Sequence, residues 1–369
     1  MKFLNKLFLS VLFFGTMNLS AQDIHFTNFT LSPVTFNPAL SGAFEGTLRV
    51  GGNFRGQWLG SLGGYQTYDP TVDAPIPFMI KNRHWIGAGI SMVNDKQKAR
   101  ISSDQMITLF PNDEIGNGLL NLNTNQFKMS LAFHLSLDKK ITKILSFGGQ
   151  YIASTRKLQS PSGAVVDPEF LATGSSKDFN SLTTSSGTSS TGVDKPLAQN
   201  SPSDWIFGVN FIRRSKSGEF SIGLSSAHVF KNNTSLRTQT DYDQPTRLTG
   251  LVSYKGMMNK KYKIQPALLV QSTSEGFEVS THALLGFKIK PESEYWLNGG
   301  LGLRTGTLSP QVLMGVDFKT ITARLAFDIP INGVANAPGF QNAFELGVQY
   351  VWVRSKIPNP DPIIYCPRL

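Results

Sequence analysis

The sequence predicts an all-β protein: an antiparallel transmembrane outer-membrane β-barrel of about 14 strands, with short periplasmic turns and long extracellular loops. Three observations predict this fold. The chain begins with an export signal, its later segments alternate apolar and polar residues over lengths that suit a membrane strand, and short and long connections alternate along the chain.

The composition separates this chain from an ordinary cytosolic enzyme. Of its 369 residues, 16% are charged and 11% are aromatic, whereas soluble domains are about 25% charged. The formal net charge is +10. The single cysteine, Cys366, excludes an internal disulfide and any metal site built from several cysteines, and we expect no cofactor.

The first 21 residues have the layout of a secretory signal peptide. Lys2 and Lys6 precede an apolar run over residues 7–14, and the small residues Ser20 and Ala21 end the segment. The apolar run is much shorter than the ~20 residues of a membrane helix. We therefore expect export and cleavage after Ala21.

Residues 125–137 show the strand alternation most clearly. Side chains of a β-strand point to opposite faces in turn, so a period of two separates an apolar face from a polar one. Residues 262–271 and 343–352 repeat the pattern. In the first segment, one face holds Phe127, Met129, Leu131, Phe133, Leu135 and Leu137, and the other holds Gln126, Lys128, Ser130, Ala132, His134 and Ser136.

Fourteen segments are predicted as strands. Most run longer than the five or six residues of an average globular strand and match the ~9 to 11 that cross a membrane at a tilt. They are residues 46–58, 65–78, 84–94, 125–138, 142–153, 203–213, 218–230, 246–256, 261–272, 277–289, 293–304, 308–318, 319–328 and 342–352.

The connections between these segments alternate in length, which favours a membrane barrel over a soluble β-sandwich. The long connections are residues 95–124, 154–202, 231–245 and 329–341, and short turns lie between them. Short turns on one rim and long loops on the other are typical of outer-membrane barrels. If the first strand starts in the periplasm, every long loop is extracellular and both termini are periplasmic.

The charges predicted to face the lumen are mostly basic. Because a charge on the lipid face is costly, charged residues within the strands belong inside the barrel. They could select an anionic cargo, but mutual ion pairs across the lumen are the favoured interpretation. The predicted set contains Arg49, Arg55, Lys128, Lys263, Lys288, Arg304 and Arg324 against Glu278, Asp317, Asp328 and Glu345.

Small residues on the inward faces leave space in the lumen. This space could hold a bulky element, for example the N-terminal segment folded in as a plug. The glycines concerned are Gly87, Gly89, Gly148, Gly208, Gly223, Gly300 and Gly302.

The sequence carries no motif that assigns an enzymatic reaction. The five histidines have no metal-binding spacing, and neither a GxSxG elbow nor a phosphate-binding glycine loop occurs. A Ser/His pair assembled on strands, with His134 or His282, keeps a lipid-modifying enzyme as a minor alternative. No compact basic patch with interleaved aromatics indicates nucleic acid. We expect a protein that is not an enzyme and binds no nucleic acid.

Two stretches near the N-terminus and one at the C-terminus resemble a known family. Residues 32–42 read SPVTFNPALSG, residues 49–58 read RVGGNFRGQW, and the chain ends in YCPRL. This succession resembles the PorP/SprF family of outer-membrane proteins, which belong to the type IX secretion and gliding machinery of the Bacteroidota.

The resemblance implies a function in protein export. Such a barrel would serve a secreted surface adhesin, by helping to export it or by holding its C-terminal domain at the cell surface, and would contact periplasmic ring components of the secretion machine and outer-membrane lipid. The alternative is a passive or substrate-selective channel. On this interpretation the N-terminal docking element consists of Asn37, Pro38, Arg55, Gln57 and Trp58.

The predicted organisation has four regions. Residues 22–45 form a periplasmic or luminal segment, since they are too short and too proline-broken to span a membrane. The four regions are residues 1–21 (signal peptide), 22–45 (N-terminal segment), 46–352 (barrel) and 353–369 (periplasmic tail).

Overall fold

The computed structural model describes the strands and the segment that precedes them. The expected signal peptide and nearly all of the expected C-terminal tail, including Cys366, lie outside the described residues. Among the described residues, no helix is long and apolar enough to cross a membrane. The described ranges are residues 25–57, 64–80, 83–100, 119–159, 198–230, 233–234, 243–274, 276–290, 292–306, 308–331 and 342–354.

Fifteen strands make one antiparallel sheet in the described part of the chain. Their bounds are β1 Leu48–Gln57, β2 Tyr65–Ile80, β3 His84–Arg100, β4 Leu119–Ser136, β5 Lys143–Gln159, β6 Ala198–Asn200, β7 Ser203–Ser215, β8 Gly218–Ala227, β9 Arg247–Met257, β10 Tyr262–Ser272, β11 Phe277–Phe287, β12 Tyr295–Arg304, β13 Ser309–Phe318, β14 Ile321–Asp328 and β15 Ala343–Trp352.

Fourteen of these strands close into a ring. The first and last strands pair over their whole length, from Leu48 opposite Trp352 to Gln57 opposite Ala343, and β4 pairs with β5. The short β6 continues the line of β7 along β5. Closure gives the backbone amides of every strand in the ring a neighbour, which a lipid environment requires. The predicted 14-stranded antiparallel barrel is confirmed.

The two faces of the sheet differ as the alternation predicts. Leu131 on β4 is 62% exposed and Leu301 on β12 is 70% exposed, and both point outward. On the same β4, Lys128, Ser130 and His134 point inward and are buried. The outer surface therefore presents an apolar band to lipid, while the polar side chains fill the interior.

The barrel has a turn rim and a loop rim, and its wall is uneven at the loop rim. Strands β3, β4 and β5 are 17, 18 and 17 residues long, whereas β14 has eight. The predicted strands 84–94 and 125–138 therefore ended too early at this rim. Beyond their ends the outer face carries polar residues such as Lys96 and Asn123, so it gives no lipid-facing signal, yet the backbone ladder continues from Asn94 opposite Asn125 to Arg100 opposite Leu119.

The segment before β1 lies inside the barrel. It contains three single-turn helices, Phe29–Leu31, Pro33–Phe36 and Pro38–Leu40, and nearly all of its residues from Phe26 to Phe44 are buried. We call residues 25–44 the plug.

The plug runs from the loop rim to the turn rim. His25 pairs with Glu278, which is the second residue of β11 at the loop rim. At the other end Ser41 lies against the inner wall near the start of β3. Of the two predicted positions for residues 22–45, periplasmic or luminal, the described residues 25–44 occupy the lumen, and the chain descends through it before β1 begins.

Candidate functional site

The upper part of the plug is held by a buried polar cluster centred on Thr27, which we call the latch. The backbone amides of Thr27 and Asn28 donate to the two carboxylate oxygens of Glu345, at 2.8 and 2.7 Å. The Thr27 hydroxyl donates to Asp328 Oδ1 at 2.8 Å. Thr27 and Glu345 are both 0% exposed. A backbone turn of the plug is thus bound by carboxylates from two strands.

Arg55 on β1 forms ion pairs with both carboxylates of the latch. Its guanidinium lies 2.7 Å from Asp328 Oδ2 and 3.1 Å from Glu345 Oε2. Arg304 on β12 reaches the same Asp328 oxygen at 3.6 Å. These groups are buried together, and removing one partner would leave an uncompensated charge out of water. The latch therefore links the plug to β1, β12, β14 and β15.

The middle of the plug is held by side-chain hydrogen bonds. The Asn37 side chain donates to the Val209 carbonyl at 3.1 Å, and its Oδ1 accepts from the Ala39 amide at 3.0 Å. Thr35 Oγ1 donates to Asp69 Oδ2 at 2.7 Å. Asn37 thus caps the turn that Pro38 begins, with the same side chain that binds the wall.

An apolar core completes the plug. Phe26 and Phe29 each contact Phe36 edge to face, with ring centroids 6.3 and 6.5 Å apart. Apolar residues of the inner wall join this core. The sequence predicts mainly polar or small side chains at inward positions, so this apolar part of the wall is a departure from that pattern. The wall residues of the core are Trp85, Ile144, Ile212, Leu251, Ala267 and Leu269.

The lower end of the plug is bound by strands β1 to β5. Asp73 accepts from the Gly42 amide at 2.7 Å and from two nitrogens of Arg49 at 2.8 Å each. His134 Nε2 contacts the Ser41 carbonyl oxygen at 2.8 Å, and the His134 ring stacks on Trp85. His134 therefore positions the plug, and its Nδ1 lies 2.7 Å from Ser146 Oγ on β5, with both side chains buried.

Five of the seven predicted luminal glycines border the plug or its immediate contacts. A Cβ added at Gly87 would overlap the Ser41 carbonyl oxygen, and a Cβ at Gly148 would overlap the Ala39 amide. Gly89, Gly208 and Gly223 are close to Ser41 or Asn37. Gly300 and Gly302 do not serve this purpose, because the atoms nearest to a Cβ there belong to the wall itself.

All of the predicted luminal charges except Lys288 are buried inside the barrel, largely in ion pairs, whereas Lys288 lies just beyond β11 and is half-buried. Lys263 pairs with Asp317, and Arg324 donates to Thr30 Oγ1 at 2.8 Å and to Gln265 Oε1 at 2.9 Å. Lys128 is buried on β4. The basic excess is smaller than the predicted seven against four: among the described residues, eight basic and seven acidic side chains are buried. The prediction omitted Asp69 and Asp73 of β2, a strand whose prolines obscure its alternation.

The predicted docking residues lie at the plug. Asn37, Pro38 and Arg55 are buried in contacts within the chain, and Gln57 Oε1 accepts from Arg55 at 3.3 Å. Trp58 lies outside the described residues. In this arrangement a partner would reach Asn37 or Arg55 only after the plug moved.

A family comparison places the chain. The family described as "Type IX secretion system membrane protein PorP/SprF" matches residues 18–110 and 107–350. The chain belongs to the PorP/SprF family. The match spans the plug and nearly all of the barrel, so the PorP/SprF assignment and the outer-membrane location apply to the whole described structure. No curated protein matches this PorP/SprF chain.

Several solved structures are similar to this PorP/SprF barrel at low sequence identity. The toluene transporter TbuX of Ralstonia pickettii is 12% identical, with 87% of this chain and 93% of that chain covered and a TM-score of 0.47. The CymD monoaromatic hydrocarbon channel is 9% identical, with 88% and 93% covered and a TM-score of 0.49. CdiB from Acinetobacter baumannii is 6% identical, with 83% and 60% covered and a TM-score of 0.44.

Proposed function

We propose that this PorP/SprF chain acts in type IX secretion as a plugged outer-membrane barrel that binds partner proteins. It supports the export or surface attachment of a secreted adhesin and has no catalytic step of its own. The observation that carries the proposal is the filled lumen: residues 25–44 occupy the interior, and their phenylalanines are almost completely buried. A plugged barrel leaves its rims as the surfaces for function.

The raised wall of β3 to β5 supports a protein contact at the cell surface. On the outer face of β3 the apolar band ends at Met92, and Asn94, Lys96 and Lys98 follow. Asn94 donates to Asn123 on β4 at 3.1 Å. At ~3.3 Å per residue the wall extends roughly 20 Å past the apolar band before strand tilt is considered. A polar sheet above the lipid is a suitable surface for an adhesin.

The turn rim supports a second contact on the periplasmic side. Its turns carry exposed lysines, and such a rim suits an acidic face of the periplasmic ring components. Among the described residues, the exposed lysines of the turns include Lys139, Lys140, Lys216, Lys260, Lys261, Lys290 and Lys319.

Charge reversal at each rim tests the two contacts separately. The double variant Lys96→Glu/Lys98→Glu should reduce adhesin recovered with the detergent-purified barrel and adhesin displayed on cells by at least fivefold. The matched double variant Lys139→Glu/Lys140→Glu should retain the adhesin and lose ring components. Two results together would contradict the proposal. The wild type and both variants would recover equal amounts of adhesin, and deletion of the gene would leave the adhesin on the cell surface.

Conductance measurements separate the proposal from a solute channel. The folded wild-type barrel in planar bilayers should show no steady conductance, because a solute path requires the plug to leave the lumen. A general porin inserted in the same bilayer serves as the positive control. Steady conductance of the wild type, together with normal adhesin display after gene deletion, would support the channel instead.

A further inference from the structure

The plug follows the inner side of the seam where the barrel closes. The seam joins the first strand, β1, to the last strand, β15, and places Arg55 directly opposite Glu345. These two residues are 290 positions apart in the chain. Most other neighbouring strands are joined by a direct connection, so this pairing requires closure of the longest loop in the ring.

Plug residues 27–32 contact both sides of this seam. On the β1 side, Asn53 Nδ2 donates to Ser32 Oγ at 3.0 Å and to the Asn28 carbonyl at 3.3 Å. On the β15 side, Glu345 accepts from the amides of Thr27 and Asn28. Plug residues 27–32 are therefore hydrogen-bonded to both β1 and β15, the two strands that close the barrel.

Two further residues of β15 contact plug residues 27–32. Gln349 Nε2 donates to the Leu31 carbonyl at 3.4 Å. A Cβ added at Gly347 would lie 2.7 Å from Leu31 Cδ1, so glycine leaves the space in which Leu31 packs. The contacts with β15 thus extend from Glu345 to Gln349, along the middle of the strand.

We propose that residues 27–32 are an internal clamp that brings β15 to β1 and keeps the seam closed. The clamp is joined to β1 by a short stretch of chain, so β15 is delivered to β1 once Glu345 has bound the Thr27 and Asn28 amides. The plug then has a function in barrel assembly that does not depend on the identity of any partner. Displacement of residues 27–32 would open the barrel at the β1–β15 pair before any other.

Hydrogen exchange of the purified full chain in detergent tests the clamp strand by strand. The plug-side variant Ser32→Ala removes the nearer of the two acceptors of Asn53 Nδ2 and leaves the residues of both seam strands unchanged. Amide exchange in β1 and β15 should rise at least tenfold, while β7 and β8 keep their wild-type rates. The wall-side variants Asn53→Ala and Gln349→Ala should give the same localised increase.

Ser225→Ala is the matched control. Ser225 Oγ on β8 donates to the plug carbonyl of Phe36 at 2.6 Å, away from the seam. Its loss should raise exchange in β7 and β8 only. The clamp would be overturned if β1 and β15 exchanged at wild-type rates in Ser32→Ala and Asn53→Ala. It would also be overturned if exchange rose equally in every strand of both variants and of the control. These variants leave the buried charges of Arg55 and Glu345 in place, so the test does not require a change in the latch that could prevent folding.

Discussion

Glycines of the inner wall, which lack a Cβ atom, allow the plug backbone to approach the wall closely. Gly87 on β3 faces the Ser41 carbonyl oxygen, and Gly148 on β5 faces the Ala39 amide. The inward position of these glycines was predictable from the period of two, and so was the space they leave. The identity of the atoms that fill it was not, because no sequence pattern relates residues 39–41 to β3 and β5.

Gly87→Ala should destabilise the folded barrel by about 1–3 kcal/mol, because the added methyl must displace plug backbone. The matched variant Gly299→Ala on β12 should have no measurable effect, since nothing lies within 4 Å of the added atom. Urea unfolding of the two proteins in lipid vesicles measures the difference. Equal free energies of unfolding for Gly87→Ala and Gly299→Ala would show that the plug backbone is not in close contact with β3 at Gly87.

The latch gives a second prediction for a single residue. Arg55→Gln should lower the free energy of unfolding by about 3–5 kcal/mol, because Asp328 and Glu345 would remain buried without their shared cation. Lys319→Gln breaks the ion pair with Glu294, in which both side chains are 58% exposed, and should cost less than ~1 kcal/mol. The same unfolding assay compares them, and a small loss for Arg55→Gln would mean that water reaches the latch.

At the scale of the strand, alternation predicts orientation well and length poorly. The inward and outward residues of β4 follow the predicted pattern from Gln126 to Ser136. The extension of β4 to Leu119 was missed because its outer face changes from apolar to polar at Asn125 while the backbone ladder continues. Outward side chains must be apolar only where they face lipid. A strand that continues beyond the bilayer therefore keeps its backbone pairing and loses the apolar pattern of its outer face.

A pair of lysine substitutions on the outer face of β4 locates the edge of the bilayer. Met129→Lys should reduce folding into lipid vesicles, at a cost of about 2–4 kcal/mol if the residue lies near the midplane. Asn125→Lys, four residues toward the loop rim, should fold as wild type because Lys96 already occupies the neighbouring outer face. The folded fraction follows from the gel mobility of unheated samples. Equal losses at both positions would place the raised wall inside the membrane.

For the whole molecule, the order of the strands was predictable and the path of the plug was not. Alternating connection lengths are sufficient to predict a closed ring with two different rims. The direction of residues 25–44, from the loop rim down to the turn rim, depends on partners such as Glu278, which lies 253 positions from His25 in the chain. Leu269 shares the predicted inward face of Lys263, but no sequence pattern showed that Leu269 and Ile144 pack in one apolar core with the plug.

The burial of the latch implies that salt separates two kinds of electrostatic attachment in this molecule. Mobile ions weaken attraction between exposed charges beyond about 10 Å at 0.1 M, but they do not reach groups from which water is excluded. A concentrated salt wash should therefore strip acidic proteins from the lysines of the turn rim, while Asp328 and Glu345 continue to hold Thr27 in place.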